Sequence, residues 1–316
     1  MTNQTLTAIP GILVGHAEDA AKSTGCTAVL CPEGFTPGVA VPGFAPGSRE
    51  TDLMRPESTV DAVHGIALSG GSAFGLAAAD GVMRYLHETG RGYVMPHGIV
   101  PIVPGAVIYD LDGNASPGVL PDAAMGYTAA KAAADAPVRR GRVGAGCGAR
   151  CGRLFGAERA SPAGLGSALT EREGIKAAAL VVVNALGNVH DPETGACLAG
   201  ARGADGRLLD SRDDVFAALS ASAVPQSNTV LAVVAVNIPL DKAGTNRLAR
   251  MAAAGLARVI RPAHLLFDGD IMFALSAKTG PLSGANPRTE TLLGAMAADA
   301  VARAAADAVG GGQGKR

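Results

Sequence analysis

Ala223-Val224-Pro225-Gln226-Ser227-Asn228-Thr229-Val230-Leu231-Ala232-Val233-Val234-Ala235-Val236 passes from polar to apolar between two neighbouring residues. The run after the junction is uncharged and rich in β-branched side chains, the composition of a strand buried on both faces. A threonine that opens such a strand gains little there from packing. A chain cut just before it would gain an N-terminal threonine, which carries a nucleophile and a base in one residue. On local pattern alone a plain strand start is the better reading of the junction, so the rest of the chain must decide.

Working outward, Ala177 to Val183 is a second fully apolar run, and it ends at Asn184. Met272 to Leu275 is another, placed just after Asp268-Gly269-Asp270. Cys26 to Leu30 and Gly65 to Leu68 are shorter strand candidates. The first is closed by Cys31-Pro32-Glu33-Gly34, and Pro37 to Gly47 reads as loop. Ile99 to Leu111 is extended, interrupted by Pro101 and Pro104. Helical spacing follows Ser72, a candidate cap, through Phe74, Ala77, Ala78, Val82, Tyr85 and Leu86, and stops at Gly90 and Gly92. Ala123 to Ala134 is an alanine-rich helix candidate. Asp241 caps a helix that runs to about Val259, ahead of Pro262. The last helix runs near Thr289 to Val309, before Gly310-Gly311-Gly312. Gly203 to Ser227 is polar and charged and reads as a linker. Strands and helices mix without strict βαβ alternation, which predicts a layered sandwich.

The 316 residues allow one large domain or two ordinary ones. With 48% hydrophobic and only 17% charged residues, much of the surface must lie in layers or subunit contacts. Aromatics make up 3%, Trp is absent and the net charge is −1, which argues against a nucleic-acid platform or an anionic-membrane partner. Five cysteines, an odd count, predict no disulfide framework. The N-terminus lacks the pattern of a signal peptide, and no apolar run approaches the ~20 residues of a membrane helix. A cytoplasmic protein is expected.

Several motifs invite chemistry. Ser69-Gly70-Gly71-Ser72-Ala73-Phe74-Gly75 resembles a phosphate loop but lacks its lysine, and a tight structural turn reads better. No histidines pair at metal-ligand spacing, and Cys147 and Cys151 have no partner pair nearby, so neither metal nor cofactor is expected. His190-Asp191 could be a base with its orienting carboxylate, although no Gly-x-Ser-x-Gly elbow accompanies it. Asp268 and Asp270 could face one pocket, where close acids split their pKa values, or they could simply build a turn. Asn184 could donate to an oxyanion or cap a turn.

Taken in order, Gly25-Cys26-Thr27-Ala28-Val29, Leu68 to Leu76, Val107-Ile108-Tyr109-Asp110, Gly144-Ala145-Gly146 and Phe267-Asp268-Gly269-Asp270 resemble the DmpA-like self-processing peptidases and amidases. That family includes L-aminopeptidase/D-esterases, β-peptidyl aminopeptidases and nylon-oligomer hydrolases. The resemblance covers about Ile9 to Val309. It implies an α/β protein, a four-layer α/β/β/α sandwich of the type shared with ornithine acetyltransferases. It also implies one catalytic domain, 1–316, autocleaved at Asn228–Thr229 into fragments 1–228 and 229–316 that stay together and associate further, as a tetramer. Thr229 falls at the nucleophile, Asn184 at the oxyanion asparagine and Tyr109 at the active-site tyrosine. Asp268 and Asp270 match the acidic pair of the nylon-oligomer branch, which points to 6-aminohexanoate oligomers or similar small amides as substrate. Peptide N-termini, as for an aminopeptidase, and acyl transfer of the ornithine-acetyltransferase kind are the alternatives. Arg153 stands where that branch has a lysine. An arginine stays protonated, so it is expected to act electrostatically rather than as a proton shuttle.

Overall fold

The computed structural model describes residues 2–111, 119–221 and 228–310. The strands that matter are β1 (Leu13–Asp19), β2 (Thr24–Ala40), β3 (Val63–Ser69), β4 (Gly105–Val107), β5 (Leu165–Arg172), β6 (Ile175–Asn184), β7 (Thr229–Val236) and β8 (Ile271–Ser276). They follow one hydrogen-bonded path, β5-β6-β7-β8-β2-β3-β4, with β1 beside β2 and the short Ser48–Arg49 at the far edge. β5, β6 and β7 are antiparallel, whereas β7 and β8 are parallel.

The long β2 joins two sheets. Its residues Cys26 to Leu30 pair with β3, and its residues Thr36 to Ala40 pair with β8. An irregularity between Leu30 and Phe35 makes the bend. The two sheets stack face to face. Leu231, Val233 and Ala235 of β7 point into the inter-sheet core with Phe273, Leu180, Val29, Ile66 and Leu68. Their neighbours Val230, Ala232, Val234 and Val236 point the other way, into a second core. This double burial is why β7 has no polar alternation. Each Val or Leu so buried contributes roughly 1.5–3 kcal/mol.

The second core is roofed by α4 (Lys242–Val259) and α5 (Pro287–Gly310). Helices α1 (Ala78–Glu88) and α2 (Ala123–Lys131) cover the outer face of the first sheet, over Cys26, Ala28, Leu30 and Ala67. The result is the four-layer α/β/β/α sandwich. Small residues set the helix spacing. A Cβ on Gly255 of α4 would stand 2.2 Å from the Ala298 carbonyl oxygen of α5.

Three local expectations need correction. Pro37 to Gly47 is not all loop, because Pro37 pairs with Leu275. Thr36 to Ala40 is the edge of its sheet, the place where a missing N–H costs no ladder bond. The linker reading of Gly203 to Ser227 also fails in part, since α3 (Arg212–Ala221) forms there. Ser211 accepts from the Asp214 N–H at 3.0 Å, while the Asp214 carboxylate accepts from the Ser211 N–H at 3.1 Å, a reciprocal cap. Residues 222–227 lie outside the described residues. Finally, Ser72 caps no helix. It opens a 3-10 turn, Ser72–Ala77, at φ +54°, and no side chain caps α1. Asp241 does cap α4, accepting from the Gly244 N–H at 2.6 Å.

Candidate active site

Because β6 and β7 run antiparallel in register, Asn184 at the end of β6 lies opposite Thr229 at the start of β7. One residue earlier, Asn228 bridges Asp268 in parallel. The Gly269 N–H donates to the Asn228 carbonyl oxygen at 2.9 Å. The Thr229 hydroxyl donates to the same oxygen at 2.6 Å. The carbonyl that precedes the threonine is therefore held by two donors, with the hydroxyl directly beside it. Only glycine fits at 269. A Cβ there would stand 2.6 Å from Thr229 Oγ1 and 2.7 Å from the Ala45 carbonyl oxygen.

The two aspartates are buried on either side of this glycine. Asp270 Oδ1 accepts from the Val230 N–H at 2.7 Å, and its Oδ2 meets His264 Nδ1 at 2.8 Å. That hydrogen bond raises the His264 pKa above the ordinary imidazole value. Asp268 Oδ2 accepts from the Leu265 N–H at 2.7 Å. Its Oδ1 is buried and meets no hydrogen-bond partner among the described residues. Burial, and then the neighbouring charge of Asp270, push the Asp268 carboxyl up to about 6. The loop from Gly43 closes over the pair: Phe44 and Ala45 both donate N–H bonds to the Asp268 carbonyl oxygen, at 2.8 and 3.0 Å.

On the opposite side, the Asn184 amide is fixed by what it accepts. Its Oδ1 takes bonds from the Arg150 N–H at 3.2 Å and Arg153 Nη1 at 3.3 Å. Nδ2 is thereby turned towards Tyr109 and donates to its carbonyl oxygen at 2.9 Å. One of the two amide protons is thus committed to the Tyr109 backbone. The Arg153 guanidinium is buried, and burial lowers its pKa against the opposing influence of Tyr109 and Asp110. Asp110 itself accepts from Thr24 Oγ1 at 2.8 Å and from the Gly71 N–H at 2.7 Å. Gly70 packs so tightly on it that a Cβ would stand 2.0 Å from Asp110 Oδ2. The Ser69–Gly75 stretch is accordingly a structural turn that holds Asp110. A cavity of about 220 Å³ lies over Thr229, lined also by Tyr109, Val107, Ala73 and Phe267. A second, of about 250 Å³, is lined by Asp110 and the arginines 142, 150 and 153.

The arrangement offers a hydroxyl against a polarised carbonyl, a buried carboxylate with one vacant oxygen, and an amide on the far side. The sequence profile of peptidase family S58 matches residues 4–312. The chain belongs to peptidase family S58. It is a hydrolase of peptide or amide bonds. An uncharacterized aminopeptidase of Mycobacterium tuberculosis is 41% identical over 324 residues, covering 95% of this chain and 92% of the relative. The 6-aminohexanoate-oligomer endohydrolase of Kocuria sp. is 29% identical over 301 residues, covering 92% and 81%. Among solved structures, the L-aminopeptidase D-Ala-esterase/amidase of Ochrobactrum anthropi, described as a variant of the Ntn-hydrolase fold, superposes with a TM-score of 0.70. It shares 20% identity over 96% of this chain and 85% of that one. A Burkholderia sp. β-aminopeptidase gives a TM-score of 0.67 at 22% identity, over 97% and 86%. The two structures share the fold of this S58 chain.

Of the expected site residues, Thr229, Asn228, Asn184, Asp268 and Asp270 come together around one strand end. Tyr109 reaches them through its carbonyl and by lining the cavity, and Arg153 through Asn184. His190 and Asp191 do not act as a pair. The His190 ring turns to Asp210, while Asp191 accepts from the N–H groups of Glu193 and Thr194 in its own turn. Three contributors had no role in the sequence reading: His264, Gly269 and Asp110. Asp110 was visible in Val-Ile-Tyr-Asp and Gly269 between the aspartates. His264 carried no local signal, because its partner is reached only through the fold.

Proposed function

We propose that this S58 chain is a self-processing amide hydrolase whose nucleophile is Thr229. The observation that carries the reading is the Asn228 carbonyl oxygen, held at 2.6 Å by the Thr229 hydroxyl and at 2.9 Å by the Gly269 N–H. In the intact chain, Thr229 Oγ attacks the Asn228 carbonyl carbon. The C–N bond breaks, the hydroxyl proton ends on the Thr229 nitrogen, and an ester links Asn228 to Thr229 Oγ. Water then opens the ester, leaving an Asn228 carboxylate, the free hydroxyl and the α-amine. The unpartnered Asp268 oxygen is assigned as the proton acceptor, which requires the Thr229 hydroxyl to turn from the Asn228 carbonyl towards it, and the Gly269 N–H steadies the oxyanion.

In the processed enzyme the α-amine of Thr229, with a reference pKa of roughly 7.7–8.0, serves as general base at neutral pH. Asp268 and Asp270 orient it, His264 holds Asp270, and Asn184 and Tyr109 face the substrate oxyanion. Arg153 fixes the Asn184 amide and adds positive charge, without shuttling a proton. A short peptide or small amide fits the cavity over Thr229, and peptide substrates rank first because the relatives at 41% identity are named aminopeptidases. The acidic pair supports a second reading, oligo-amides, since relatives at 28–29% identity are named 6-aminohexanoate-oligomer endohydrolases. Acetyl transfer from acetylornithine to glutamate would replace hydrolysis if it were observed. Association of processed chains into a cytoplasmic homo-oligomer belongs to the same proposal, and light scattering measures it.

The test is a denaturing gel with intact-mass analysis of the wild type beside Thr229→Ala. Wild type is expected as two fragments divided after Asn228, and the variant as one full-length chain without amidase activity. A single wild-type chain, or a variant that still divides there, overturns the proposal.

A further inference from the structure

Away from Thr229, a three-stranded sheet formed by Asn188–His190, Cys197–Ala199 and Ile260–Arg261 carries a second cluster. His190 and Cys197 are register partners on its first two strands, so the backbone holds their side chains side by side. Asp210, just ahead of α3, reaches over to them. The His190 ring, Cys197 Sγ and an Asp210 carboxylate oxygen each present a ligand atom within 4.8 Å of one another.

The hydrogen bonds around the cluster orient it. His190 Nδ1 lies 3.3 Å from the Val259 carbonyl oxygen, an acceptor only, so Nδ1 carries the hydrogen. The other ring nitrogen, Nε2, faces Asp210 Oδ1 at 2.8 Å. A ring nitrogen and a carboxylate oxygen at that distance are bridged by a proton or by a cation. A backbone carbonyl on the distal nitrogen is the arrangement that supports metal-ligating imidazoles. Asn188 Nδ2 donates to Asp210 Oδ1 at 3.1 Å and to the Leu209 carbonyl at 2.9 Å, which fixes the carboxylate from behind. His190 is buried, whereas Cys197 and Asp210 are partly exposed, so an ion has a way in.

We propose that His190, Cys197 and Asp210 form a binding site for a divalent ion of the zinc class. One imidazole nitrogen, one thiolate and one carboxylate make a borderline donor set, which suits Zn²⁺ and its spectroscopic substitute Co²⁺ far better than Ca²⁺ or Mg²⁺. Three protein ligands leave a fourth position for water. On binding, the Cys197 thiol gives its proton to solvent as the metal–sulfur bond forms, with no change of oxidation state. The ion ties Asp210, and with it the approach to α3, to the sheet beneath. The role is independent of Thr229, and none of its readouts depends on amidase activity.

The experiment strips the purified chain with a chelator, titrates it with Zn²⁺ alone, and measures retained metal after gel filtration. A parallel titration uses Co²⁺ and follows the thiolate-to-metal absorption band. Wild type and Thr229→Ala are expected to retain one ion each and to show the band. Cys197→Ser is expected to lose the band, and Asp210→Asn to bind at least about tenfold more weakly. Zn²⁺ should also slow proteolysis between residues 203 and 211. Circular dichroism checks that each variant is folded, and Asp210→Asn, altered at a partly exposed side chain, stands in if Cys197→Ser is not. Failure of the wild type to retain metal overturns the proposal and leaves a proton between His190 and Asp210. Equal binding by folded Cys197→Ser or Asp210→Asn also overturns it, by placing the metal elsewhere.

Discussion

Asp268 is the residue on which processing chemistry should turn. One of its oxygens is held by the Leu265 N–H, and the other is buried without a partner among the described residues. Its carboxyl is raised to about 6, first by burial and then by Asp270. The folded chain therefore holds this proton more tightly than the unfolded chain does. The stabilisation this gives is complete below the ordinary carboxylate value and fades as pH climbs through about 6. The proton acceptor is the ionised form, so the rate of processing moves the opposite way. For a precursor unfolded and then returned to native buffer, cleavage should accelerate about tenfold per pH unit below that value and level off above it. Asp268→Asn should remove the rise and slow processing by at least about 100-fold. A flat profile between pH 5 and 7 would sink the assignment of Asp268 as acceptor. Gly269 makes a sharper steric claim. Gly269→Ala puts a Cβ 2.6 Å from Thr229 Oγ1, so one of the two must move and the contact with the Asn228 carbonyl is lost. Mass spectrometry should find this variant as an uncut chain with a native circular dichroism spectrum.

Among the elements, strand pairing does the positioning. The register of β6 against β7 places Asn184 across from Thr229, and a slip of one residue would turn both away. Much of this was legible beforehand. Val230 to Val236, behind Thr229, and Ala177 to Val183, ahead of Asn184, announce buried strands by unbroken apolarity, and Asp241 announces the start of α4. Other elements were not, for physical reasons. The extent of β2 was hidden because Pro32, Gly34 and Pro37 read as loop, yet its two ends pair in different sheets and tolerate an irregular middle. α3 was hidden by its polarity, although the Ser211–Asp214 cap was a readable signal. The His264–Asp270 bond was beyond reach, since His264 stands in a segment without periodicity and its partner's orientation is set by Val230. Arg153 was expected near the site, but that its guanidinium holds the Asn184 amide needed coordinates.

At the scale of the whole molecule, four layers put the two proposed fragments in an unusual relation. Residues 229–316 supply β7 and β8, and these lie side by side between β6 on one flank and β2 on the other. Both flanking strands belong to the larger fragment. α4 and α5, also from the smaller fragment, roof β5 and β6 as well as their own strands. After processing, the pieces should therefore co-elute in native gel filtration and part only in denaturant. The smaller fragment expressed alone should give no native-like spectrum, whereas co-expression of 1–228 with 229–316 should restore a folded complex. Separation of the fragments under native conditions would contradict the strand order.

The same strand order gives the proposed cut a direction in time. Two ladders join the pieces, and α4 and α5 of the smaller piece pack on strands of the larger, so the proposed break opens one peptide bond while leaving the sheets intact. Reversal is a different matter. In the proposed product the ammonium form of Thr229 would stay beside the carboxylates that flank Gly269, where it is no nucleophile towards the new Asn228 carboxylate. The fold would thus work as a ratchet: once the proposed cut is made, the pairing of β6 with β7 and of β8 with β2 holds the pieces without the lost bond.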